Sequence, residues 1–375
     1  MRRMGLVLLV PVVAAAAACG SAGGGPVSTG NPGKPAELQA AVSPSASPPA
    51  TYDWKELFPA TAPMPRDSAV TDYDAADSDV VVAAGEGSCS PGAVTYTDTW
   101  TWNGLTWTLA PDGNAPPVVG VPNAYDGATH TVVLIWVPGC GMLTTSQWNG
   151  TSWSATEPGA TPNSNPAYPY PQGVMAYDPS TQTLVLWSPA AGYIPNAPTN
   201  ASQDQASTWS WDGSTWQPLS PSTEPPASLG DPQMVWDPQV GKLVLYDAVS
   251  QAMWAWDGTQ WSAIPVTSGP PSRTGASMVY DDALGEILLF GGLTASASPT
   301  PSPSPAATEP SGTPLNDLWA WNGTTWTQLH PTTSPAPRFD AQMAYDAASG
   351  QVVLFGGAVN DIADVADTWV YAPAS

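Results

Sequence analysis

The stretch WAWNGTTW at residues 319–326 decides the fold, because the chain writes it five times with small changes. The other copies read WTWNGLTW at 100–107, SQWNGTSW at 146–153, WSWDGSTW at 209–216 and WAWDGTQW at 254–261. Alternating aromatics, an Asn-Gly or Asp-Gly pair and a further Trp form a hairpin signal. The pair supplies positive φ for a tight turn, and the rings suit a pleated, half-buried surface. Five copies of one hairpin predict a repeat protein.

Working outward, an aromatic-Asp pair, a turn and an apolar run recur six times. They read YDAADSDVVVAAG from Tyr73, YDGATHTVVLIWV from Tyr125, YDPSTQTLVLWSP from Tyr177, WDPQVGKLVLYDA from Trp236, YDDALGEILLFGG from Tyr280 and YDAASGQVVLFGG from Tyr345. The Asp at each turn can accept the amide two residues on, which accounts for it without chemistry. Each unit then holds four strands. Strand a ends at the aromatic-Asp, b is the apolar run, c precedes Asn/Asp-Gly, and d starts at the hairpin's last Trp. Four-stranded antiparallel units in series predict an all-β, six-bladed β-propeller.

The sixth unit lacks a strand d, since the chain stops after Trp369-Val370-Tyr371 and a short tail. A surplus strand d sits at the other end, at Asp53-Trp54-Lys55-Glu56-Leu57, with no strand c before it. Residues 57–66 and 329–338 share the pattern L-x-P-x-T-x-P-x-P-R. The N-terminal strand is therefore predicted to complete the last blade and close the ring, leaving no unpaired seam.

Bulk properties agree. With 44 Pro, 34 Gly, 19 Trp and 10% charged residues among 375, the chain is too aromatic for disorder and suits short strands joined by turns. The net charge of −23 disfavours nucleic acid, whose phosphates need a basic surface, and fits a soluble, exposed setting.

The P-x-P-R, Y-D, V-L-F-G-G, D-x-W-x-W and T-W-x-x-L elements resemble kelch repeats, best in blades five and six, from residue 51 to the C-terminus. Blades two to four depart from that pattern. Their Gly-Gly becomes Trp136-Val137, Ser188-Pro189 and Asp247-Ala248, and the Arg is missing. The resemblance implies a fold like the central domain of galactose oxidase and is nearly silent on function.

Residues 1–18 read as a signal peptide, with basic Arg2 and Arg3 before a 14-residue apolar run too short to span a membrane. Ala16-Ala17-Ala18-Cys19-Gly20 resembles the lipobox of bacterial lipoproteins, although Leu is commoner where Ala16 stands. That resemblance implies cleavage before Cys19, acylation of Cys19, and an extracytoplasmic protein on the bacterial cell membrane. The other reading is an ordinary secretory peptide cut after an A-x-A. Residues 19–50, rich in Gly, Ser, Ala and Pro, read as a tether, and 51–375 as the propeller.

The Asn/Asp-Gly turns are 46, 63, 45 and 65 residues apart, which places insertions in the b–c loops of blades three and five, at 188–207 and 295–314. The b–c and d–a loops share one face, where binding residues are expected. Cys89 and Cys140 follow strand b in adjacent blades, and in an exported protein they read as a disulfide.

Candidate chemistry is thin. Galactose-oxidase-like copper would need converging His and Tyr, but the two His, His130 in an a–b turn and His330 after a strand d, fall on opposite faces. No metal or other cofactor is expected. The sequence SWDGSTW at 210–216 is similar to a sialidase Asp box, but its adjacent Asp and Gly match a hairpin turn instead. Asp72, Asp74, Asp77 and Asp79 lack EF-hand spacing and read as a solvated turn.

Arg66, Arg273 and Arg338 share one repeat position in blades that become neighbours on closure, so they are candidates for binding a carboxylate or phosphate. The competing reading is that each bonds carbonyls between blades. Trp136 and Trp187, outside the Trp columns of strands c and d, are further ligand-contact candidates. No nucleophile–base motif emerges. The expectation is a monomeric binding scaffold for an envelope protein or glycan, touching membrane only through its lipid. The alternative is an extracytoplasmic carbohydrate-active enzyme.

Overall fold

A computed structural model describes residues 51–87, 94–138, 143–156, 173–189, 206–227, 230–294, 312–360 and 363–374. Within them every regular element is a strand. The strands form six four-stranded antiparallel sheets. In blade one, strands a to d are Val70–Asp74, Asp79–Ala83, Thr99–Trp102 and Trp107–Leu109. Strands a of neighbouring blades touch all the way round, including blade six against blade one. The molecule is a six-bladed β-propeller with strands a innermost.

The last blade is completed as the sequence predicts. Gln342–Asp346, Gln351–Phe355 and Thr368–Pro373 supply strands a, b and c, and Tyr52–Leu57 pairs with the last of these. Trp54 carries the closure, 2% exposed and packed at a tilt against Phe290 and Tyr371, with ring centroids 5.3 and 5.1 Å away.

The core is divided. Six apolar clusters fill the six gaps between neighbouring blades, the gap between six and one included. This follows from the apolar strands b, whose side chains point alternately to either side and find a blade on both. Burial on both faces is why VVLI and LVLW runs occupy these positions.

The turns are built from side chains. Asp74, Asp126, Asp178, Asp237, Asp281 and Asp346, all buried, each accept the amide two residues on at 2.9–3.0 Å. In the c–d hairpins only the Gly takes positive φ, +87° at Gly104 for example. The preceding Asn or Asp works through its side chain: Asn103 accepts the Leu105 and Thr106 amides. Asp212 does the same with Ser214 and Thr215, and those bonds hold its carboxyl down at about 2. Its carboxylate caps the hairpin.

Candidate functional site

Arg66, Arg273 and Arg338 are 0%, 0% and 1% exposed, which corrects their reading as ligand-binding residues. Each guanidinium grips a carboxylate at both nitrogens: Arg66 takes Asp98, Arg273 takes Asp317 and Arg338 takes Asp367, at 2.6–3.0 Å. Nη1 also donates to the carbonyl of Ala84, Gly291 or Gly356, and Nε to the carbonyl two residues earlier. The same carboxylates accept the indole N–H of Trp100, Trp319 or Trp369 at 2.7 Å. In each case hydrogen bonds from the Arg and the Trp hold the carboxyl below its usual range against the opposing effect of burial. With four donor contacts made inside its own blade, each guanidinium is spent on structure. Contact between blades comes instead from the main chain, as the Arg66 and Arg338 carbonyls accept Gly357 and Gly292 amides.

Trp187 is corrected likewise. It is 0% exposed, packed in the gap between blades three and four. Trp136 is half-buried against the cluster between blades one and two, and its N–H donates to Ser146 Oγ at 3.0 Å. Neither lines the axial channel. Cys19, Cys89 and Cys140 lie outside the described residues, as do most of both insertions.

The structure assembles a different site, on the axis. Six residues before each turn Asp, at the entrance to strand a, stand Ser68, Gly120, Asp231, Gly275 and Asp340; the sixth, residue 172, is outside the described set. Four of them are in the left-handed region, with φ of +49° at Ser68, +56° at Gly120, +65° at Gly275 and +50° at Asp340. That conformation turns both peptide groups along the rim. The Gly120 amide donates to the Ser68 carbonyl at 2.8 Å, Ser68 to Asp340 at 3.1 Å and Asp340 to Gly275 at 2.8 Å. Blade four breaks the pattern, because there the Gly275 amide meets the Asp231 carboxylate, at 2.8 Å. Among the described residues the result is a hydrogen-bonded collar running from blade four through five, six and one to two at the channel mouth, on the face of the b–c and d–a loops.

Below the collar lies a channel of about 830 Å³ lined by strands a of all six blades. Its lining contains Asp72, Asp231, Asp282 and Asp340 and no Lys, Arg or His among the described residues. Three carboxyls titrate high. Burial pushes Asp72 up to about 6 despite amides from Tyr73 and Tyr125. Burial, then the nearby Asp340 charge, push Asp231 up to about 7. Burial alone raises Asp340 to about 6. All three are half-buried and line the channel, so the enclosing protein governs their solvation.

No family model and no curated protein matches the chain. Among solved structures it is similar to a protein of unknown function from Bacteroides thetaiotaomicron VPI-5482, with 9% identity. That alignment covers 86% of this chain and 76% of the other, with a TM-score of 0.49. A provisionally assigned gluconolactonase is similar at 13% identity, covering 86% of this chain and 92% of the other, with a TM-score of 0.45. Neither likeness carries chemistry over to this chain.

The carboxylates of the mouth were missed by reading motifs. The signal that could have found them is a column: aligned on the turn Asp, position minus six holds only Ser, Gly and Asp among the described blades. Small or acidic residues at one repeat position, in a fold whose strands a face the axis, mark a channel rim.

Proposed function

We propose that this chain is a binding scaffold of the bacterial envelope: a kelch-like propeller tethered through acylated Cys19 and presenting its loop face to a protein or glycan. One observation carries the reading. The mouth of the axial channel is a preformed, hydrogen-bonded rim with acidic and small residues, whereas the arginines that would hold an anionic substrate are consumed inside the blades. A preformed rim around a concave site favours recognition, because little order is lost on binding. The same reading includes a Cys89–Cys140 disulfide fastening the b–c loops of blades one and two.

A second reading, a carbohydrate-active enzyme, is favoured by one feature. Asp231 and Asp340 interact at the rim, and a carboxyl held near 7 suits a general acid.

The test is a screen of the full-length protein against glycans, cell-wall fragments and envelope proteins, followed by hydrogen exchange on any complex. Binding without turnover, with protection at residues 68–70, 120–123, 231–233, 275–277 and 340–342, is the expected outcome. Protection confined to the outer strands d would contradict it. Turnover that is lost in Asp231→Asn would establish the enzyme reading instead. Anchoring is checked separately: Cys19→Ser should move the protein from the membrane to the soluble fraction.

A further inference from the structure

Among the described residues, the collar has one joint unlike the others. Between blades one, two, five and six it is main chain to main chain. Between blades four and five the acceptor is a side chain, Asp231 Oδ2, on the Gly275 amide. Gly275 is also where a second carboxylate arrives, because a Cβ built there would lie 2.6 Å from Asp340 Oδ1. Two carboxyl groups, from blades four and six, therefore converge on the main chain of the blade between them.

Their surroundings supply no countercharge. On blade four, Asp247 at the end of strand b is 0% exposed and occupied with the amides of Gly230, Asp231, Val249 and Ser250. On blade five, the Arg273 guanidinium is turned to Asp317, and the Ser277 hydroxyl donates to the Ala341 carbonyl. On blade six, the Gln342 side-chain Nε2 donates to the Asp340 carbonyl. Blade one offers Ser68 and, deeper in the channel, the further acid Asp72. Described charges on this rim are all of one sign.

We propose that Asp231 and Asp340 form a one-proton latch on the axial mouth. With one proton on the pair, one carboxyl is neutral and only the other is charged. Like-charge repulsion is then absent, and Asp231 keeps the Gly275 amide. When that proton leaves to solvent, two carboxylates remain in an enclosed site. Their repulsion is relieved by parting blade four from blades five and six at the rim and admitting water. The mouth is tight under mildly acidic conditions and loosens above neutrality. Titration of each group is a property of the pair. The direction agrees with burial raising both carboxyls and with the Asp340 charge adding to the rise at Asp231. The latch is a property of the folded chain and does not depend on the mouth's ligand.

Hydrogen exchange of the full-length protein tests it at the Gly275 and Ala276 amides, corrected for intrinsic rates, at pH 5.5 and pH 8. The Ile135 amide, bonded to the Pro122 carbonyl within blade two, is the reference. In the wild type, protection at Gly275 and Ala276 should fall several-fold on raising the pH while Ile135 holds. Asp340→Asn keeps the shape, tolerates the left-handed backbone as Asn does, and removes one charge, so the pH dependence should vanish. Asp231→Asn, which retains an oxygen acceptor for Gly275, should do the same and serves if the first variant folds poorly. A wild-type rim whose protection does not change with pH overturns the latch. So does a pH dependence that persists unchanged in both variants.

Discussion

Blades five, six and one share a fastening that blades two, three and four lack. In the first set a buried Arg, a pair of left-handed residues after strand b and an Asp before strand c occur together. Arg338, Gly356-Gly357 and Asp367 are one instance, with φ of +69° and +91° at the glycines. Blade one accepts Ala84 in the first left-handed place, at +56°. Each of these blades also carries a small extra two-stranded ladder on the loop face. In blade two the Arg position is Val118 and the Asp position is Thr144, so both partners are absent. Losing both costs far less than losing one, which would strand a buried charge. The second half improvises. Glu224 receives the Thr208 amide and hydroxyl, and Asp247 ties the Val249 and Ser250 amides of its own turn to the Gly230 and Asp231 amides before strand a.

A second column runs the other way. The first Trp of strand d donates its indole N–H to a Thr of the preceding blade at four interfaces: Trp107 to Thr368, Trp153 to Thr99, Trp216 to Thr145 and Trp261 to Thr208, at 2.8–2.9 Å. In blades four and five the Thr is replaced by Met253 and Leu318, and the N–H groups of Trp326 and Trp54 have no partner. The interfaces without the Trp–Thr bond flank blade five, which has the Arg fastening. Stability is thus distributed over two sets of polar ties on one repeating apolar core.

The largest effect is expected at the closure. Trp54→Ala removes a fully packed ring from the gap between blades five and six and should cost about 3–5 kcal/mol in denaturant unfolding. A smaller loss would mean that the N-terminal strand is not what closes the ring. Thr145→Val keeps the volume but strands the Trp216 N–H in a dry interface, at a cost of about 1–3 kcal/mol. The two halves separate more finely at their glycines. Gly241, at +62° in blade four with nothing within 4 Å of a built Cβ, should lose only the left-handed penalty of about 1–2 kcal/mol on change to Ala. Gly357, at +91° with a Cβ 2.8 Å from the Phe339 carbonyl and the Ala341 side chain, should lose more than that. Equal losses would erase the distinction.

The smallest effect is a slope. Asp72, Asp231 and Asp340 have folded pKa values raised above the unfolded carboxyl, so the folded state holds more protons between about pH 4 and 7. On their account stability falls as pH rises through that window. Asp98, Asp317 and Asp367 are lowered, so their contribution is lost as pH falls below about 4. Melting temperature should therefore peak near about pH 4, and Asp340→Asn should flatten the descent from there to about pH 7.

Much of this fold could be read along the chain. The turn Asp, the hairpin Trp and the surplus strand at residues 53–57 each carry local physics that survives into the ring. Partnerships across the ring were harder to read. Asp98, Asp317 and Asp367 stood in the D-x-W-x-W pattern, yet their bond to Arg66, Arg273 and Arg338 spans 29 to 44 residues. Joint presence in the same three blades was the available clue. The rim carboxylates were less visible still, because Asp231 and Asp340 meet only once six strands a are arranged about an axis.

The central division, between arginines that hold blades and a rim that faces ligand, is tested most directly by a double-mutant cycle at Arg338 and Asp367. Arg338→Met alone should cost about 3–5 kcal/mol in unfolding free energy, as should Asp367→Leu alone, while the two together should recover much of the loss. If Arg338→Met leaves stability unchanged and instead abolishes binding of an acidic glycan, the arginines belong to the functional surface and the division is wrong.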